Sequence, residues 1–151
     1  GCALDSSGMV ECWGNNNYGQ IDAPSTVFTK ISSGHDHVCG IRTDGFVQCW
    51  GYYEDGQSSP PVEEFVKISA GKQHTCGIKN DGSIECWGAD YYGQSTPPSG
   101  TFLDIGSGEM HSCGIKDDRS VECWGIDHGG SYDKGQVTDI PYIYKAWNGA
   151  R

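Results

Sequence analysis

Between Val38 and Trp50, apolar and polar side chains alternate with a period of two. Val38, Gly40 and Arg42 alternate with Cys39 and Ile41. On the return, Val47 and Cys49 alternate with Gln48 and Trp50. Alternation bounded by turn residues is the pattern of β-strands. Thr43-Asp44-Gly45 fits a three-residue hairpin loop with glycine in the left-handed conformation. That loop sets Cys39 opposite Cys49 and Ile41 opposite Val47. A further strand precedes the hairpin, because Phe28-Thr29-Lys30-Ile31 has counterparts in Phe65-Val66-Lys67-Ile68 and Phe102-Leu103-Asp104-Ile105. Pro60-Pro61 and Pro97-Pro98 sit in the connections before two of these strands, where proline blocks ladder pairing and marks a loop or an edge. No stretch keeps a 3.6-residue period between helix caps, so the chain reads as all-β.

The pattern returns at a fixed step. Cys2, Cys39, Cys76 and Cys113 lie 37 residues apart, as do Cys12, Cys49, Cys86 and Cys123 and also Trp13, Trp50, Trp87 and Trp124. A period of that length marks a repeat architecture, in which one unit cannot bury its apolar face without neighbours. The units run approximately over 1–27, 28–64, 65–101 and 102–141, and 142–151 is left as a tail. The hairpin loop is Ser6-Ser7-Gly8 in the first unit, Asn80-Asp81-Gly82 in the third and Asp117-Asp118-Arg119 in the fourth. Arginine in the glycine position predicts a changed turn or mild strain there.

The eight cysteines form four pairs, each ten residues apart, with none left over. Zinc sites use closely spaced ligand pairs such as Cys-x-x-Cys, and none is present. The pairing therefore reads as a disulfide framework belonging to an oxidising compartment, and predicts a secreted or cell-surface protein. Opposed residues of an antiparallel pair can be bridged. The predicted bridges are Cys2–Cys12, Cys39–Cys49, Cys76–Cys86 and Cys113–Cys123.

The Gly-x-x-His…Asp-Gly…Trp-Gly…Gly-Gln arrangement, carried by Gly34–Gln57 and Gly71–Gln94 and in modified form by Gly108–Gln136, resembles the regulator of chromosome condensation (RCC1) repeat family. The resemblance covers nearly the whole chain and implies a β-propeller, most often of seven blades. Its members include a nucleotide-exchange factor for a small GTPase and a secreted β-lactamase inhibitor, so fold does not carry function across. This chain departs in having four repeats, a cysteine pair in every unit and an acidic balance. The expected fold is a propeller of four such blades with three or four short antiparallel strands each. The first unit lacks its lead-in strand. Tyr142–Arg151 looks like the missing piece, since Asn148-Gly149 matches Ser33-Gly34, and it is expected to complete the first blade and close a ring. An open arc from a larger ring is the rival, and a tail that pairs with the next molecule would instead make a filament. The chain starts within a repeat, which predicts a processed product or a piece of something longer.

The formal net charge is -10, with a sequence pI of about 4.7. Such a surface repels phosphate backbones, so nucleic acid is not an expected partner. No apolar run has the roughly 18 residues of a membrane span, and no membrane insertion is expected.

Three His-x-Cys copies (His37, His74 and His111) would suggest a metal site if they converged. Repetition in every complete unit, and absence from the first, favour a structural imidazole bonded to the turn after Gly34, Gly71 and Gly108. No metal or cofactor is expected. The Trp-Gly tryptophans read as core between units. The loops between Trp-Gly and Gly-Gln differ from one another: Asn15-Asn-Asn-Tyr18, Tyr52-Tyr-Glu-Asp55, Ala89-Asp-Tyr-Tyr92, and a fourth, Ile126–Lys134, five residues longer. Tyr18, Tyr52, Tyr53, Tyr91, Tyr92, His128 and Tyr132 within them are the binding-face candidates. Tyrosine with Asn, Gly and Asp supplies rigid contact area and adaptable hydrogen bonds. The plainer reading is that these rings only cover the blade rim. Ser-Pro-Pro at 59–61 and Thr-Pro-Pro at 96–98 are compatible with O-linked glycan. No nucleophile stands beside a distinctive base, so no catalytic residue is assigned and the protein reads as non-enzymatic. The expected function is extracellular protein binding or a structural role, including self-assembly into a surface filament or matrix. The alternatives are a carbohydrate-binding lectin or a secreted enzyme inhibitor.

Overall fold

The computed structural model describes residues 1–126. Among them lie eleven strands in four sheets and no helix. The first sheet is the hairpin β1 (Cys2–Leu4) and β2 (Val10–Cys12). The second is β3 (Phe28–Ser33), β4 (His37–Arg42) and β5 (Val47–Gly51). The third is β6 (Phe65–Ala70), β7 (His74–Lys79) and β8 (Ile84–Gly88). The fourth is β9 (Phe102–Ser107), β10 (His111–Lys116) and β11 (Val121–Gly125). The tail 142–151, the long fourth loop from 127 onward, His128 and Tyr132 fall outside the described residues.

The hairpin register is the one the loop length dictates. Cys39 faces Cys49 and Ile41 faces Val47, with equivalent pairs in the other sheets. Gly8, Gly45 and Gly82 hold φ of 83°, 86° and 83° at the turn, and Arg119 adopts 71° in the same place. The fourth turn is thus not rebuilt around its arginine; the side chain is forced into the left-handed region, which costs a residue bearing a Cβ about 1–2 kcal/mol. All four predicted disulfides form within a sheet, with Cα–Cα distances of 4.0–4.1 Å.

Each sheet is a blade that packs on the next. Blade two offers Cys39, Ile41 and Val47, and blade three covers them with Phe65 and Trp87. Between blades one and two, Phe28, Val38 and Trp50 meet Cys2, Leu4, Val10 and Cys12. The lead-in phenylalanines lie flat on glycines: a Cβ on Gly40 or Gly77 would come within 2.4 Å of the Phe28 or Phe65 ring, and one on Gly114 within 2.5 Å of Phe102. The inner strands β3, β6 and β9 run side by side.

The histidines depart from the expected role. His37 and His74 are 1% and 0% exposed. Their Nε2 atoms lie 2.8 Å from the Thr75 hydroxyl and 2.9 Å from that of Ser112, in the following blade. They rivet blades together and do not bond the turn. The turn closes through its backbone, Gly34 N–H donating to the His37 carbonyl, and Gly34 stands where a Cβ would strike the imidazole. Blade two carries Val38 where blades three and four carry the hydroxyls of Thr75 and Ser112.

Candidate functional site

Among the described residues, the variable loops are held by the glutamines that end the first three repeat motifs. The Gln57 side-chain carbonyl accepts from the Asp55 N–H at 3.0 Å, and those of Gln20 and Gln94 accept from Tyr18 and Tyr92 N–H. The backbone carbonyls of the same glutamines accept the indole N–H of the next blade: Trp50 to Gln20, Trp87 to Gln57 and Trp124 to Gln94, at 3.0–3.2 Å. One residue therefore fastens its own loop and the seam beneath it. At the other loop end Gly51 has φ of 100°, where a Cβ would lie 2.5 Å from the Asp36 carbonyl, and Tyr52 N–H donates to that carbonyl.

On this support the aromatic side chains take different places. Tyr18 and Tyr52, from adjacent blades, meet edge to face with centroids 4.9 Å apart. The Tyr52 hydroxyl donates to Glu54 at 2.6 Å, which pushes its pKa up to about 12. The Tyr91 hydroxyl donates to Asp55 of the preceding loop at 2.8 Å, and Gln73 Nε2 donates to the other oxygen of the same carboxylate at 2.9 Å. Tyr53 and Tyr91 are 71% and 72% exposed, whereas Tyr92 is half-buried.

Tyr18 and Tyr52 form one wall of a cleft of about 180 Å³ whose other walls are His35, Asp36, Lys72 and Gln73. His35 Nδ1 lies 2.6 Å from an Asp36 oxygen, and the other Asp36 oxygen is 3.4 Å from Gln20 Nε2. The cleft combines aromatic edges, a carboxylate, an imidazole and an ammonium group, which suits a polar side chain or short peptide segment bearing both an apolar body and a charge. Among the described residues no group of three His, Cys, Asp or Glu side chains is placed to hold a metal ion.

Reading the loops alone brought Tyr18 and Tyr52 into view and missed the turn residues opposite them. The signal was present: the two residues after Gly34, Gly71 and Gly108 are His-Asp, Lys-Gln and Glu-Met, as variable as the loops they face.

A family model for the regulator of chromosome condensation (RCC1) repeat matches residues 28–57 and 65–94. No curated protein sequence matches. Among solved structures, the CRINKLY WD40 ectodomain of the Arabidopsis thaliana receptor kinase ACR4 is similar at 35% identity and a TM-score of 0.70, over 85% of this chain and 48% of that one. The entire ectodomain of the Physcomitrella patens receptor kinase CR4 is similar at 28% identity and a TM-score of 0.72, over 82% and 38%. Yeast RCC1 (Prp20), solved with Kap60 bound, shares the fold at 18% identity and a TM-score of 0.71, over 82% and 41%. The chain spans less than half the length of each.

Proposed function

We propose that this chain, whose sheets are RCC1-type β-propeller blades each clasped by a disulfide, is a non-enzymatic extracellular module that binds another protein through its tyrosine-bearing loops. The observation that carries the reading is the cleft in which Tyr18 and Tyr52 of adjacent blades face the turn residues His35, Asp36, Lys72 and Gln73. Constant residues fix the loops while their tips differ, which is how a rigid scaffold presents recognition surface. The likeness to two plant receptor-kinase ectodomains and the four disulfides support the location.

The test is site-specific photo-crosslinking in the oxidised protein on the surface of its own cells. A photoreactive residue at Tyr18, Tyr53 or Tyr91 is expected to give discrete protein adducts, and one at Val66 or Leu103, exposed on inner strands, is not. Equal labelling at all five positions, or none at the three tyrosines, removes the reading.

A second reading, end-to-end self-assembly, is favoured by one observation. Trp13 on the open face of the first blade is 58% exposed, and Ile115 on the disulfide-bearing face of the fourth is 38% exposed. These are the two kinds of surface that meet at every internal seam. Concentration-dependent growth in light scattering supports it; a monodisperse single chain at all concentrations dismisses it.

A further inference from the structure

Two proline-flanked hydroxyls stand one repeat apart. Ser59 and Thr96 each precede a Pro-Pro pair, in the connection that leads from a variable loop to the next blade. Proline holds the residue before it in an extended conformation. Both residues are exposed and share a backbone turn, Ser59 N–H donating to the Gly56 carbonyl and Thr96 N–H to that of Gly93. Their side chains differ. The Thr96 hydroxyl donates to Asp90 at 2.7 Å, and the other oxygen of that carboxylate accepts the Ser95 N–H at 2.8 Å. Asp90 thus straps both residues to the start of their own loop. One repeat earlier the place of Asp90 is taken by Tyr53, which is 71% exposed. With no carboxylate to hold it, the Ser59 hydroxyl makes no hydrogen bond among the described residues.

The surface beside Ser59 is also particular to blade two. Phe46, Pro60, Pro61 and Val62 line a groove of about 400 Å³ next to the β4–β5 turn, with the paired Arg42 and Asp44 at its side. Val62 is 90% exposed. In blade three, serines (Ser83 and Ser99) stand at the places of Phe46 and Val62. An apolar surface of this kind, open among the described residues, marks a place where something rests. An apolar floor with a few polar groups at its margin suits a sugar ring, which lays its C–H face on the floor and directs hydroxyls to a guanidinium and a carboxylate. The groove begins at Pro60, directly after Ser59. A sugar on that hydroxyl is held there by its own linkage and needs little affinity besides.

We infer that Ser59 is the attachment site of an O-linked glycan whose first sugar lies in the groove along Pro61 and Val62, and that Thr96 stays unmodified. The inference rests on the extracellular location proposed above. The bond formed joins Ser59 Oγ to the anomeric carbon of a sugar supplied as a nucleotide-sugar donor. The anomeric carbon–oxygen bond to the donor's phosphate breaks, the nucleotide leaves with that electron pair, and the serine proton passes to a base of the transferase.

The experiment takes the full chain from the surface or the medium of its own cells, digests it, and fragments the peptides by electron transfer, which leaves the sugar on its residue. A hexose or N-acetylhexosamine mass is expected on Ser59 and none on Thr96, and Ser59→Ala is expected to lose the increment. Bare Ser59 in chains taken from outside the cell overturns the inference and leaves the location standing. Chains found only inside the cell overturn both. Equal occupancy at Thr96 overturns the distinction drawn from Asp90. Asp90→Ala is expected to admit sugar at Thr96, and a bare Thr96 in that variant counts against the strap. The seat is read separately. A soluble paramagnetic agent is expected to broaden the Val62 methyl signals more in Ser59→Ala than in the glycosylated parent, and equal broadening overturns the placement in the groove.

Discussion

Trp13 and Trp87 hold the same place in the repeat, each directly after a disulfide-bonded cysteine and directly before a glycine. Trp87 is 8% exposed, its indole bonded to Gln57 of the blade before; Trp13 is 58% exposed. The difference lies entirely in the neighbour, because Trp87 has a preceding blade among the described residues and Trp13 has none. Burial in this architecture is a property of seams, and the same side chain is core or surface according to what stacks upon it.

The strongest way to break the comparison is to remove both indoles separately. Trp87→Ala is expected to cost about 3–5 kcal/mol in urea denaturation, the range for large aromatic truncations in a core. Trp13→Ala should cost under about 1 kcal/mol, as for an exposed site. Equal losses would show that the first blade's open face is covered in solution.

Acid sharpens the contrast next. Burial lowers the pKa of His37 and His74 to about 4 from an ordinary 6.5. The nearby Asp36 opposes this at His37; at His74 the other imidazoles His37 and His111 add to it and Asp90 opposes it. A folded-state pKa below the unfolded one means that the unfolded chain binds the proton first. The stabilisation is full above about pH 6.5 and is lost as pH falls toward 4, about 3 kcal/mol for each histidine. The seams between blades two and three and between three and four carry these histidines; the seam between one and two has Val38 and none. Hydrogen exchange near pH 4.5 should therefore loosen the first two seams named and spare the third.

The disulfides come third. Replacing Cys76 and Cys86 together by alanine is expected to cost about 2–4 kcal/mol by releasing a short loop in the unfolded chain. The Cys2/Cys12 double replacement should cost less overall, because the first blade has less packing to lose when its hairpin loosens. Paired thermal melts of the two variants measure the difference. The smallest effect is at the fourth turn, where Arg119→Gly should raise stability by about 0.5–1 kcal/mol by relieving the left-handed strain, partly offset by glycine's greater freedom when unfolded. No gain in melting temperature would contradict the strain.

Most of the framework was legible before any coordinates, because it rests on short-range constraints. The hairpin register follows from a three-residue loop, the disulfides from that register, and the strained arginine from one odd position among four turns. The inter-blade histidine bonds were not legible. Each imidazole meets a hydroxyl 38 residues ahead, and the receiving position is Val, Thr or Ser in successive blades, a variation that looks random until blades are stacked. The tyrosine cleft was half legible for the same reason. Loops drew attention through their aromatic content, while His35, Asp36, Lys72 and Gln73 reach the cleft from inner turns that only the stacking of blades brings alongside.

Every cystine in this protein joins sulfurs ten residues apart on one hairpin. Oxidation can therefore finish one unit at a time as the polypeptide emerges, and no sulfur needs to wait for a mate from a distant stretch. Gain or loss of a whole unit in the gene would carry its own clasp along and leave no orphan thiol, so copy number can drift while oxidative maturation stays intact.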